Sequence, residues 1–153
     1  MEMKLRFSKF TAEDFPEYKT WYEDPALNKS LGPMDDKWLD HVMHETRGQQ
    51  YSVFLEKELV AVMGILLPDA EHPAYYITDF ALKPSLRNQG IGSEVLEELR
   101  KLYTLKPGET WRTFIDERNP RARAFFERNG WVCVSDTPDE HGMLLLEQNL
   151  RAN

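Results

Sequence analysis

Ala81-Leu82-Lys83-Pro84-Ser85-Leu86-Arg87-Asn88-Gln89-Gly90-Ile91-Gly92 joins an apolar segment ending at Leu82 to a helical pattern that begins near Gln89. Successive backbone N–H groups at a helix N-terminus lack intrahelical partners and carry partial positive charge, so they attract anions. Glycine at positions 90 and 92 removes Cβ atoms that would hold a phosphate away from that backbone, and Arg87 adds a fixed positive charge. A G-x-G at a strand-to-helix junction also occurs as a turn with no ligand. No Gly-Lys-Ser/Thr is present, which excludes a P-loop, and the third glycine of a dinucleotide-binding fingerprint would fall on Val95.

Upstream of this stretch, Ala74 to Leu82 reads as a strand after the Pro68 to Pro73 turn. Tyr51 to Leu55 and Leu59 to Leu67 read as a hairpin around Glu56-Lys57-Glu58, so three antiparallel strands are expected here. Lys4 to Lys9 alternates Leu5 and Phe7 with polar neighbours, the period of a half-buried first strand. Thr11 followed by Asp14 is a variant capping box and predicts a helix running toward Asp24-Pro25. A second helix is expected over Asp35 to Thr46, where Trp38, Leu39, Val42 and Met43 recur at helical spacing, and Leu31-Gly32-Pro33 punctuates the gap.

Downstream, Ile91, Val95, Leu96, Leu99, Leu102 and Tyr103 trace one face of a helix over Gln89 to Leu105, which Pro107-Gly108 stops. Thr110 to Asp116 reads as a strand. Asn119 as N-cap, Pro120 at the first helical position and Gly130 past the end bracket a short helix, Arg121 to Asn129. Trp131 to Val134 and Met143 to Leu150 complete a strand pair around an Asp136 to Gly142 loop. The order β-α-α-β-β-β-α-β-α-β-β is an α+β mixed-sheet arrangement in a single domain over 1–153.

The chain has 153 residues, the size of one ordinary domain, and its four Trp, six Tyr and eight Phe supply the aromatic area of an ordered core. The one cysteine, Cys133, has no partner for an internal disulfide and lies among Trp131, Val132 and Val134, as a small core residue does. The N-terminus has no apolar leader pattern, and the longest apolar run, Leu59 to Leu67, is about half the length of a membrane helix. A cytosolic location with no membrane partner is expected.

A formal charge of −7 argues against nucleic-acid binding, which relies on Lys and Arg. Its distribution is uneven. Between Thr11 and Glu45 nine acids (Glu13, Asp14, Glu17, Glu23, Asp24, Asp35, Asp36, Asp40, Glu45) face three lysines, a net of −6. Between Arg87 and Arg128 nine basic residues face seven acidic ones, a net of +2. One segment suits a cation and the other an anion.

Arg87-Asn88-Gln89-Gly90-Ile91-Gly92 resembles motif A of the GNAT superfamily of N-acetyltransferases, which reads Arg or Gln, two residues, Gly, one residue, Gly or Ala. Leu82, Pro84 and Leu86 match the residues preceding that motif. Asn119, Ala122, Phe125, Phe126, Gly130 and Trp131 look like the family's second block. The resemblance implies that backbone amides of Arg87, Asn88, Gln89, Gly90, Ile91 and Gly92 cradle the pyrophosphate of acetyl-CoA. It also implies that the strand ending at Leu82 splays from the one ending near Asp116, with the Leu82 N–H polarising the thioester carbonyl. A primary amine, on a small cationic molecule or a peptide, would attack directly in a ternary complex. The alternative is a domain that binds acyl-CoA or a partner without catalysis.

Many members of the family carry a Tyr that protonates the departing thiolate; Phe126 stands at that position. Asn119 resembles the residue that touches pantetheine and is equally a helix cap. As general base, Asp79 and Asp116 are the carboxylates best placed near the splay, with salt-bridged surface acids as the alternative. Trp21, Tyr22, Glu23 and Trp38 fall in the segment that builds the acceptor pocket in this family. Aromatic walls with carboxylates suit a cationic amine, although the same residues also serve as packing. Tyr76 and the loop residue His141 complete the acceptor candidates, and Arg121 and Arg123 are candidates for the 3′-phosphate of CoA. His41 and His44 read as surface histidines, with no H-E-x-x-H, so no metal is expected. The apolar Met143 to Leu146 run offers a strand for pairing across a homodimer.

Overall fold

A computed structural model describes residues 4–135 and 137–148. The described part contains seven strands and five α-helices: β1 (Leu5–Lys9), α1 (Phe15–Thr20), α2 (Pro25–Leu31), α3 (Asp36–Met43), β2 (Gly48–Leu55), β3 (Glu58–Leu66), β4 (Ala74–Leu82), α4 (Ile91–Leu102), β5 (Thr110–Asp116), α5 (Pro120–Arg128), β6 (Trp131–Cys133) and β7 (Met143–Gln148). The strands form one mixed sheet in the order β1-β2-β3-β4-β5-β7-β6. The chain divides into two compact units, one of Met1–Ile65 with Asp79–Tyr103 and the other of Leu66–Thr78 with Thr104–Asn153.

In the first unit, Phe10, Phe15, Tyr18, Trp21, Tyr22, Leu27, Met34, Leu59, Val62 and Ala81 form a buried cluster that joins α1, α2 and their connections to the sheet. Trp38 and Phe54 pack against it. Tyr51 and Phe54, three apart on β2, point to opposite faces. On the Tyr51 face, its hydroxyl pairs with Tyr103 just past α4, and its ring meets Phe7 edge-on. The two sets of helices therefore cover opposite faces of these strands.

The first helical segment differs from expectation. Asp14 accepts from the Thr11 N–H at 3.1 Å and from the Ser52 hydroxyl at 2.8 Å, so its carboxylate closes a turn instead of capping a helix. Helix α1 starts one residue later with Pro16 in its first turn, and Trp21–Glu23 follows as a turn of 3-10 helix. Helix α2 fills what the sequence reading leaves as a gap: Asp24 caps it through a 3.0 Å bond from the Leu27 N–H, and Pro25 opens it. An Asp-Pro pair at N-cap and N1 is the same signal that Asn119-Pro120 gives for α5.

In the second unit, β4 runs parallel to β5 over Ala74–Ile77 against Thr110–Thr113. β7 runs antiparallel to β5 from Trp111↔Gln148 to Asp116↔Met143 and antiparallel to β6 on its other side. On that other side Cys133 pairs with Leu146, the Leu145 carbonyl accepts from the Val134 N–H, and the Leu145 N–H donates to the Ser135 hydroxyl oxygen, each at 2.9 Å. The Met143 to Leu146 run therefore belongs to an interior strand, and its expected edge pairing across a homodimer is corrected. The expectation that this strand continues to Leu150 lies outside the described residues past Gln148. Phe126 of α5 packs edge-on against Trp131, and Tyr75 stacks on Trp111 with centroids 4.7 Å apart.

Candidate active site

The link from β4 to α4 carries the anion-receptive geometry. Pro84–Leu86 makes one turn of 3-10 helix, Arg87 extends, and two left-handed residues follow, Asn88 at φ 63° and Gly90 at φ 82°. Left-handed residues either side of Gln89 turn consecutive amides toward a common side, as in anion-binding nests. Asparagine tolerates this conformation better than other side chains, and glycine adopts it freely. An added Cβ on Gly90 would meet no atom within 4 Å, so the space beside this backbone is open to a ligand. Helix α4 then begins at Ile91 with no side-chain cap, leaving its first amides for an anion.

The Arg87 charge is paired within the same unit. Its Nη1 and Nη2 donate to Asp24 Oδ1 and Oδ2 at 3.2 and 2.7 Å. The Arg87 hydrogen bonds, aided by the Leu27 amide, lower the Asp24 carboxyl to about 2.

In the same unit lies a surface cleft of about 450 Å³ whose lining includes Lys19, Tyr22, Glu23, Asn28 and Met34. Tyr22 and Glu23, two of the acceptor candidates, are among the residues that line it. Trp21, only 3% exposed, is a core residue whose indole N–H donates to Glu17 at 3.1 Å. Trp38 lies edge-on to Phe10 and stacks on Phe15. Trp21 is thus buried, whereas Trp38 packs against the cluster and is partly exposed.

Behind Tyr22 is a polar network that the sequence reading misses. The hydroxyls of Tyr18 and Tyr22 hydrogen-bond each other. Burial foremost, together with the nearby Asp79 charge, raises the pKa of both phenols above the usual tyrosine value of 10.0. Asp79 accepts a 2.8 Å hydrogen bond from Gln50 Nε2 and is partly buried. Asp79 thus stands near this hydroxyl pair, outside the residues that line the cleft.

Asp116 is committed elsewhere. It accepts from the Arg118 backbone N–H at 2.9 Å and from Arg118 Nε and Nη2 at 3.0 and 2.9 Å, closing the loop before α5. These contacts match the salt-bridged alternative for this carboxylate. Asn119 Oδ1 accepts from the Ala122 N–H at 3.2 Å, so its side chain caps α5. Phe126 is 5% exposed and lies between Phe125 and Trp131. Tyr76 stacks on Phe114 and receives a 3.4 Å bond from Arg112, which also pairs with Glu147 at 2.9 Å. His141 is exposed on the loop before β7, near Glu140. Arg121 and Arg123 are at the surface of α5, the latter paired with Glu127 at 3.2 Å. His41 and His44 are both exposed, and among the described residues no group of three or more His, Cys, Asp or Glu is arranged to hold a metal. Among the described residues, no helix is long and apolar enough to cross a membrane.

A family model described as the acetyltransferase (GNAT) family matches residues 9–131. The chain belongs to the GNAT acetyltransferase family. Its fold is that of solved family members at low sequence identity. The acetyltransferase from Thermus thermophilus superposes with a TM-score of 0.79 at 18% identity, covering 95% of this chain and 97% of that one. Aminoglycoside acetyltransferase AAC(6')-Ib in complex with coenzyme A gives 0.77 at 16%, with 95% and 94% covered. The ribosomal-protein-S18-alanine N-acetyltransferase from Escherichia coli gives 0.69 at 15%, with 95% and 93% covered. No curated protein matches the chain in sequence. As a GNAT acetyltransferase the chain is an acyl-CoA-dependent N-acetyltransferase, and acetyl-CoA is the family's donor.

Proposed function

We propose that this GNAT acetyltransferase acetylates a primary amine of a small cationic molecule. The observation that carries the proposal is the pairing, within one unit, of an open left-handed loop at Asn88–Gly90 with a cleft reached by Tyr22 and Glu23. Aminoglycosides, the substrates named for one structural neighbour, are small polyamines, whereas the S18 alanine enzyme named above acts on a protein amine. The net of −6 between Thr11 and Glu45 favours the cationic small molecule.

The amides from Arg87 to Gly92 would hold the pyrophosphate, and the backbone N–H of Leu82 would polarise the thioester carbonyl. Bound acetyl-CoA supplies the acetyl group on a thioester whose thiolate, with a pKa of about 8.5 as a free thiol, leaves without much protonation. Phe126 can give no proton, which this leaving group tolerates. An amine arrives as ammonium and must lose a proton before it attacks. Asp79, held by Gln50, takes that proton directly or through water, while Glu23 and the Tyr22 ring receive the remaining positive charge of the acceptor.

CoA release from acetyl-CoA, measured over a panel of amines for the wild type and Gly90→Trp, tests the proposal. Turnover with a cationic amine that disappears in the variant is expected. Stabilisation by acetyl-CoA with no amine-dependent CoA release would overturn it in favour of a binding role.

A further inference from the structure

Asp24 holds two contacts at once. Its carboxylate grips the Arg87 fork bidentately, and Oδ2 also accepts from the Leu27 N–H at 3.0 Å to cap α2. The pair spans 63 positions and ties the cofactor loop to the helix that follows Tyr22 and Glu23 and carries Asn28 on the cleft wall. Both side chains are largely shielded, at 34% exposure for Arg87 and 23% for Asp24.

We propose that Asp24 is an internal competitor for Arg87, occupying the guanidinium when no phosphate is bound and yielding it when CoA binds. This rests on the reading of Arg87 to Gly92 as the CoA loop. A guanidinium presents the same planar fork to a carboxylate and to a phosphate, so the two ligands contend for one set of donors. While Asp24 holds the fork, an arriving pyrophosphate meets a neutral ion pair and a nearby negative charge instead of a free cation. The attraction of the loop then comes from backbone amides alone. After transfer the same carboxylate recaptures Arg87 and favours departure of CoA. Because Asp24 also caps α2, the exchange alters the support of the cleft wall, linking cofactor occupancy to the acceptor site.

The capping and charge roles separate experimentally, because Asn and Ser cap helices about as well as Asp but carry no charge. CoA affinity is measured by calorimetry at low salt for the wild type, Asp24→Asn, Asp24→Ser and Arg87→Gln. Both Asp24 variants are expected to bind CoA more tightly, on the order of five- to tenfold, with unchanged melting temperature near neutral pH beyond the loss of the ion pair. Arg87→Gln is expected to weaken binding, and adding Asp24→Asn to it should give a smaller gain than Asp24→Asn gives in the wild type, because no guanidinium is left to release. Unchanged or weaker binding by the Asp24 variants, with Arg87→Gln still weakening it, overturns this inference alone. Failure of the wild type to bind CoA overturns the loop reading and this inference together.

Discussion

Gln50 on β2 reaches past β3 to donate a 2.8 Å hydrogen bond to Oδ2 of Asp79 on β4. The contact fixes the carboxylate near the Tyr18–Tyr22 hydroxyl pair, and the proposed role of Asp79 as proton acceptor rests on it. A general base is useful only when it is held within reach of its proton, and the amide of Gln50 supplies that restraint without adding charge. By contrast, the three donors that Arg118 turns onto Asp116 show a carboxylate used as a loop staple.

Asp79→Asn is therefore expected to lower kcat near neutral pH, on the order of 10²-fold, while CoA affinity stays unchanged. The deficit should shrink as pH rises toward the acceptor's own ammonium pKa, because an amine that arrives neutral needs no base. A pH–rate profile of wild type and variant with one amine checks this. A constant ratio across the pH range would remove Asp79 from the proton path.

Gly90 is required by its backbone rather than by neighbouring atoms, since φ is 82° and an added Cβ meets nothing within 4 Å. Gly90→Ala should cost about 1–2 kcal/mol of stability from the left-handed conformation alone. For a domain of this size that lowers Tm by about 2–8 °C, measurable by scanning calorimetry. Gly90→Trp should show a similar loss in the absence of ligand and, in addition, lose the Tm increase that acetyl-CoA gives the wild type.

Most of the elements were legible because their signals are local. The alternation of Lys4 to Lys9, the helical spacing from Ile91 to Leu102 and the Asn119-Pro120 cap each depend on residues a few positions apart. Helix α2 was legible in principle, since Asp24-Pro25 repeats the Asn119-Pro120 pattern, but reading Asp24-Pro25 only as the end of the preceding helix hid it. The contacts that shape the site are non-local. Arg87 with Asp24, Gln50 with Asp79 and Tyr51 with Tyr103 join residues whose proximity no spacing rule discloses. Aromatic content likewise could not separate Tyr22, which reaches the cleft, from Trp21, which is buried next to it in sequence.

Asn119 offers a test of one side chain with two candidate duties. Its Oδ1 caps α5 at Ala122, so Asn119→Ala should cost about 1 kcal/mol, and Asn119→Asp should retain most of that stability. If capping is its whole role, Asn119→Asp keeps the wild-type kcat/KM as well. A fall in kcat/KM in Asn119→Asp at preserved Tm would instead assign Asn119 a contact with the pantetheine arm.

The Tyr18–Tyr22 pair makes a prediction about alkaline pH. Burial foremost raises both phenols above the usual tyrosine value of 10.0, so the folded state keeps protons that the unfolded chain releases. A group whose folded pKa is raised contributes its stability fully below the unfolded value and loses it as pH climbs above that value toward the folded one. Urea denaturation should therefore show no contribution from this pair to the pH dependence up to about pH 9, then a decline through and above about pH 10. Tyr22→Phe removes one titrating hydroxyl and should flatten the decline. The same change leaves the buried Tyr18 hydroxyl without its partner at a cost of about 1–3 kcal/mol at neutral pH. A variant that is less stable near neutral pH yet less sensitive to base is the signature expected, and an equally steep alkaline decline in Tyr22→Phe would place the titrating groups elsewhere.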